Sequence, residues 1–306
     1  MNKFIIRQSC LLFLTAVIWG IAFVAQSAGM DYVQPFTFSA VRMVLGGIVL
    51  LPVIAFMGRI RKNGKKEQEA IGLAEDVEAK QQTKEEQRKN LLLGGMLCGV
   101  LLFIASNFQQ VGIQYTTAGK AGFVTALYIV IVPIYGIFLH KKIKVNVWVG
   151  VALGLAGLYL LCMQEGFHLE KGDALVLVCA LTFSMHIMVV DHFSPIVDGV
   201  KMSCIQFFVC GILSGIVMFI VEQPRIPQIL AAWQPIGYAG ILSCGVAYTL
   251  QIVGQRGMNP TIASLLMSLE SVVSVLAGWL ILHQNLEVRE MAGCAIMFLA
   301  IVLAQL

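Results

Sequence analysis

The feature that most constrains this chain is the recurrence of apolar runs as long as a lipid bilayer is thick. A bilayer core takes about 20 mostly apolar residues per crossing helix. Reading between charges and Pro, Gly or Asn punctuation gives ten such runs. They lie at 7–27, 36–58, 91–112, 119–139, 145–163, 172–191, 199–221, 235–256, 260–282 and 288–305. The runs are continuously apolar, without the period of two that marks the strands of a membrane β-barrel. The sequence therefore predicts an all-α membrane protein with ten transmembrane helices. Composition agrees, because 58% of the 306 residues are hydrophobic and only 12% are charged, about half the charged share of a typical soluble domain. The mean hydropathy of +0.83 argues against a soluble enzyme, and a disordered chain, a disulfide scaffold and a nucleic-acid binder are excluded.

The remaining charge is unevenly placed. The segment 59–90 holds nine Lys/Arg and seven Asp/Glu, 16 of the 38 formal charges. It reads as a solvated loop, with a short surface helix suggested by Ile71, Leu73, Ala74 and Val77. Threading the ten runs with the N-terminus inside puts 16 Lys/Arg on the cytoplasmic side and four outside, with Arg42 left inside a span. By the positive-inside rule both termini are expected in the cytoplasm. Lys3 and Arg7 before an apolar run also suit a signal peptide. That run is too long for one, and it carries Trp19 and Gln26 where a small-residue cleavage site belongs, so it reads as the first helix. All eight cysteines fall in the runs without CxxC spacing and read as packing residues.

The two halves resemble each other. A shift of 164 lays the first two runs on the sixth and seventh, matching Trp19 with Phe183, Arg42 with Gln206 and Gly47 with Gly211. A shift of 142 matches Gln109-Gln110-Val111-Gly112 with Gln251-Ile252-Val253-Gly254. A shift of 143 matches His140 with His283 and Gly150 with Gly293. Five runs per copy is an odd number, so the copies must cross the membrane in opposite senses. This predicts two inverted five-helix repeats, 1–163 (interrupted by the charged loop at 59–90) and 164–306, with a substrate site between them near mid-membrane.

The stretches opening QQVGIQYTTAGKAG at Gln109 and GMNPTIASLL at Gly257, with the Phe38…Arg42 portion of the second run, resemble the EamA branch of the drug/metabolite transporter superfamily. The resemblance covers nearly the whole chain. It implies ten helices, cytoplasmic termini and transport of small metabolites, often amino acid export, across the cytoplasmic (inner) membrane of a bacterium. This chain departs from the family pattern where Ser271 follows Glu270 in place of Pro. It departs again where His140-Lys141 and His283-Gln284 stand in place of Gly-Glu pairs.

Charges deep in a bilayer are expensive and need a partner or water. Glu270 and Arg42 are the two such residues, at depths that suit either a mutual ion pair or one shared cavity. Glu270 is the candidate for proton coupling or for holding a substrate amine; Arg42 is the candidate for a gating ion pair or a substrate carboxylate. Asn107, Gln110 and Gln114 fall on one helical face, as do Tyr248, Gln251 and Gln255. Such groups line a polar path or bond helix to helix. Trp19 and Tyr128 are candidates to shape the apolar part of a cavity. His186 is a second candidate for proton coupling or else a packing residue, and Pro133 marks a hinge in the fourth run. Gly150-x3-Gly154 allows close helix contact.

No phosphate loop or metal-ligand motif is legible, so no cofactor or metal is expected and the chain does not read as an enzyme. The expected function is secondary transport by alternating access, with export of small metabolites such as amino acids first. Sugars, nucleobases or drug-like compounds are the alternative cargo, and a non-transporting membrane enzyme or sensor is the more distant one. Expected partners are the bilayer, a small-molecule substrate and protons, with no nucleic acid, in a monomer or homodimer.

Overall fold

The structure, a computed structural model, describes residues 3–70, 84–115, 118–140, 143–162, 171–282 and 287–305. The surface helix expected around Ile71, Leu73, Ala74 and Val77 lies outside the described residues, as do Lys141, His283 and Gln284. Among the described residues every regular element is helical. The first half contains α1 (Lys3–Gly29), α2 (Pro35–Ala70), α3 (Lys84–Gly112), α4 (Ala118–Ala126), α5 (Tyr128–Phe138) and α6 (Val145–Cys162). The second half begins with α7 (Lys171–Phe193), α8 (Gly199–Val221), α9 (Ile226–Ala231) and α10 (Trp233–Gly237). A π-helical segment, Tyr238–Tyr248, leads into α11 (Thr249–Gln255), and α12 (Pro260–Met267), α13 (Leu269–Leu282) and α14 (Val288–Gln305) follow.

Eight helical segments of the described residues are long and apolar enough to cross a membrane, and Val145–Leu161 is a shorter apolar helix. The helices that flank the charged loop run further than their apolar cores. α2 continues to Ala70 and α3 starts at Lys84, because Lys, Glu, Gln and Arg are good helix formers. Large apolar side chains face outward, with Phe138, Phe219 and Ile220 each about three-quarters exposed. This is the surface that a lipid environment demands and water penalises.

Small residues govern the helix contacts. A Cβ on Gly150 would sit 2.8 Å from Ala304 Cβ and 2.9 Å from the Ala300 carbonyl oxygen. One on Gly157 would lie 2.8 Å from Met297 and 3.0 Å from the Gly293 carbonyl oxygen. These glycines let α6 and α14 form one of the most extensive helix pairs, beside α3 with α7 and α2 with α8. Without lipid–water contrast to drive helices together inside a bilayer, close backbone approach supplies the attraction.

Two spans are broken near their middles. α4 stops at Ala126 and α5 starts at Tyr128; α12 stops at Met267 and α13 starts at Leu269. At each joint one residue takes a tightened helical turn, Leu127 at φ −57° and ψ −13° and Ser268 at φ −63° and ψ −11°. Ser268 Oγ donates to the Leu265 carbonyl at 2.8 Å, which favours the tighter turn. Pro133, expected to mark a hinge, lies away from the joint at Leu127. Pro133 sits inside α5, where the bilayer-spanning bundle tolerates its missing N–H, and the joint lies six residues earlier.

Candidate functional site

The broken spans bring their joints together around a buried cavity. Tyr128, which opens α5, donates its hydroxyl to Glu270 Oε1 of α13 at 3.0 Å. Both side chains are buried, at 4% and 5% exposure. α1 lies against this joint because Gly20 has no side chain: a Cβ there would meet the Glu270 carbonyl oxygen at 2.6 Å and Val273 Cβ at 2.7 Å. The same approach brings Trp19 to the cavity wall, where its Nε1 donates to the Ser243 carbonyl at 3.4 Å. Its ring meets Tyr248 edge-on, with centroids 4.6 Å apart. Tyr248 closes the π-helical segment. That wider coil is held against α2 by small residues, since a Cβ on Gly240 would lie 3.0 Å from the Arg42 carbonyl oxygen.

Arg42 enters from α2. Its guanidinium lies 5.4 Å from the centroid of the Phe38 ring, a cation–π arrangement. Among the described residues Arg42 forms no ion pair with Glu270, and its buried Nε has no hydrogen-bond partner. The two charges share a cavity without meeting in it. Gln251 Oε1 and Gln26 Oε1 are likewise buried and without partners, and both side chains line the cavity. The space, about 40 Å³, has room for roughly three waters. Buried polar groups normally have partners. A cation, two amide oxygens and a carboxylate around so small a space form a site prepared for water or a polar ligand.

Of the residues singled out from sequence, Trp19, Arg42, Tyr128, Tyr248, Gln251 and Glu270 line this cavity. The others do not. Asn107 turns to α8, donating to Ser214 Oγ at 2.8 Å and to its own helix at Phe103. Gln110 donates to the Gln26 carbonyl at 3.3 Å. α3 ends at Gly112, so Gln114 lies past the helix and is exposed, off the face expected for it. Gln255 is buried elsewhere, with both amide atoms unpartnered. His186 sits behind Tyr248, with ring centroids 6.2 Å apart, and its Nε2 is 3.0 Å from Gln206 Oε1. Pro133 is buried in α5 and is not among the lining residues.

Sequence reasoning had not selected Phe23, Gln26, Gln109, Thr125, Phe183 and Ile187 as lining residues, nor Ser243 and Met267. The signal for most of them was the internal repeat. Trp19 and Phe183 are 164 residues apart, as are Phe23 and Ile187. Gln109 and Gln251, Thr125 and Met267, and Tyr128 and Glu270 are each 142 apart. These are the offsets legible in the sequence, and at each one both members line the same cavity. The Tyr128–Glu270 hydrogen bond joins two positions related by the offset itself.

Comparisons with known proteins show what this chain is similar to. The profile of the EamA-like transporter family matches twice, at residues 7–163 and 170–306. An uncharacterized transporter of Archaeoglobus fulgidus is 29% identical over 96% of this chain and 84% of its own. The uncharacterized transporter YoaV of Bacillus subtilis is 23% identical over 90% of this chain and 89% of its own. The uncharacterized inner membrane transporter YedA of Escherichia coli K12 is 21% identical over 96% and 89%. A solved structure at 18% identity superposes with a TM-score of 0.74 over 97% of this chain and 96% of its own. That likeness concerns the fold alone.

Proposed function

We propose, for a chain that belongs to the EamA-like transporter family and is therefore a membrane transporter, that it works by alternating access between two inverted five-helix halves. In this reading the chain crosses the inner membrane ten times with both termini in the cytoplasm. The double family match and the paired lining of the cavity support it. In a site built from equivalent residues of two inverted copies, a rocking motion exposes much the same lining to either side. The cavity is too small for a metabolite, so loading it requires the halves to part.

The cargo we favour is a small amino acid, moved outward. The observation that carries this is that Arg42 and Glu270 line one cavity with no ion pair between them among the described residues. A zwitterion satisfies both, its carboxylate on the guanidinium and its ammonium on Glu270, and it brings no net charge into the bilayer. Trp19, Phe23 and Tyr248 would hold the apolar part. Protons couple to transport in this reading through Glu270, whose carboxylate can give up the Tyr128 hydroxyl for a proton or for the substrate amine. Tyr128 spans the two halves at their joints, so a change at Glu270 is felt by both.

The test is flux in proteoliposomes loaded with amino acids, with and without a pH gradient, for the natural chain and Glu270→Gln. Coupling through Glu270 requires that the variant lose the gradient dependence. Unchanged gradient dependence removes Glu270 from that role. No amino acid flux in the natural chain, with an unchanged set of exported metabolites on overexpression, overturns the cargo.

A further inference from the structure

The two ends of the α2–α8 pair are built differently. At the end where α2 begins, α2 has no short polar residue to cap its first turn, since Gln34 precedes Pro35. The cap comes from α8 instead. Glu222 Oε1 accepts from Phe36 N at 2.8 Å, and Oε2 accepts from Thr37 N at 2.7 Å and Thr37 Oγ1 at 2.6 Å. This carboxylate bridges the halves. At the other end α8 is capped by its own Asp198, which accepts from Val200 N and Lys201 N at 3.2 Å. The position 164 residues before Glu222 is Gly58, and no heavy atom lies within 4 Å of where its Cβ would be. No side chain of α2 at that position reaches across, and the helices leave a cleft of about 700 Å³.

Four cations line that cleft from three separate segments. Lys84 and Arg88 come from α3, Lys201 from α8 and Arg256 from the end of α11. Arg256 is oriented by a bond to the Pro195 carbonyl at 3.3 Å. Among the described residues Lys84, Arg88 and Lys201 enter no ion pair. Asp198, the one acid among the described lining residues, is occupied with the first turn of α8. Met57, Leu91 and Val253 form an apolar wall beside the cations. A cluster of cations next to apolar surface suits a ligand with a compact anionic head, and guanidinium groups match the paired oxygens of phosphate.

We propose that this cleft binds a phosphate group, either the headgroup of an anionic phospholipid or free phosphate, which ties the two halves at this end as Glu222 ties them at the other. Placing this end at the cytoplasmic face rests on the orientation proposed above. The binding itself does not, and a chain that moved no amino acid would still show it.

The test uses the full chain in detergent micelles doped with phosphatidylglycerol or phosphatidylcholine, with thermal unfolding followed by tryptophan fluorescence. A second arm compares sodium phosphate with sodium chloride at equal ionic strength. The midpoint should rise with phosphatidylglycerol and not with phosphatidylcholine. Arg88→Gln with Lys201→Gln should weaken the apparent affinity for phosphatidylglycerol roughly thirtyfold, for two cations taken from one headgroup. Lys3→Gln with Lys144→Gln, exposed cations outside the cleft, should leave it within about twofold. A shift with inorganic phosphate alone, lost in the cleft variant, assigns the site to free phosphate. No shift in either arm, or equal losses in both double variants, overturns the proposal. If the first pair lowers the midpoint in phosphatidylcholine, Lys84→Gln with Lys201→Gln, both exposed, repeats the test under the same criteria.

Discussion

Replacing Glu222 by Gln is the sharpest probe of how the halves are held. The carboxylate accepts three hydrogen bonds from the first turn of α2, at 2.6 to 2.8 Å, and is 8% exposed. A carboxamide keeps one oxygen and puts an NH2 where the other stood. Whichever way it turns, at least one N–H of Phe36 or Thr37 then faces a donor. Hydrogen bonds to charged groups contribute about 1.5–3 kcal/mol each, and a negative charge at a helix N-terminus adds about 0.3–1 kcal/mol. Losing one such bond and the charge should cost about 2–4 kcal/mol. For a chain of this size each kcal/mol moves Tm by roughly 2–4 °C, so the variant should unfold roughly 4–16 °C lower in detergent. Thr37→Ala removes only the hydroxyl bond to the same carboxylate and should cost about 1.5–3 kcal/mol. A Glu222→Gln midpoint within about 1 °C of the natural chain would refute the reasoning, because it would mean water caps α2 as well as Glu222 does.

Two further outcomes follow from local geometry. Gly20→Ala gains about 1 kcal/mol of helix propensity, but its methyl would meet the Glu270 carbonyl at 2.6 Å. Backbone cannot yield as a side chain can, so overpacking of about 1–3 kcal/mol should win, seen as a lower Tm together with reduced flux as α1 is pushed from α13. His140 sits past the end of α5 at φ +56°, a conformation that favours glycine. His140→Gly should raise stability by about 0.5–1 kcal/mol, measured as a higher Tm, with no fall in flux.

His140 also explains a departure noted in the sequence. The family resemblance implies Gly-Glu where this chain has His140-Lys141. The positive φ shows why glycine suits the first of those positions: a left-handed residue ends α5 there, and its N–H bonds to the Ile137 carbonyl at 2.9 Å. Here a histidine holds that conformation without the freedom glycine has to adopt it.

Much of the site could be read without coordinates because its physics is local. A bilayer demands long apolar runs, so helical character and the rarity of Glu270 and Arg42 are written along the chain. Repeat offsets are also one-dimensional, and they already linked Trp19 with Phe183 and Gln109 with Gln251, pairs that line one cavity. Helical spacing says which residues share a face but not what that face meets. Asn107, Gln110 and Gln114 were grouped by spacing, yet Ser214 claims the first, the Gln26 carbonyl the second, and the end of α3 leaves the third exposed.

The sequence by itself determined the solvent this chain must live in and the two charges that its interior must accommodate. Those follow from hydrophobicity and periodicity, which depend only on residue order. Only the tertiary structure decided that Glu270 meets Tyr128 rather than Arg42, that the helices break at Leu127 and Ser268, and that Glu222 caps a helix 185 residues away. Hydrogen-bond partners and joints are chosen by which backbones approach most closely. In this bundle that choice belongs to glycines such as Gly20 and Gly240, whose missing side chains matter only against a neighbouring helix.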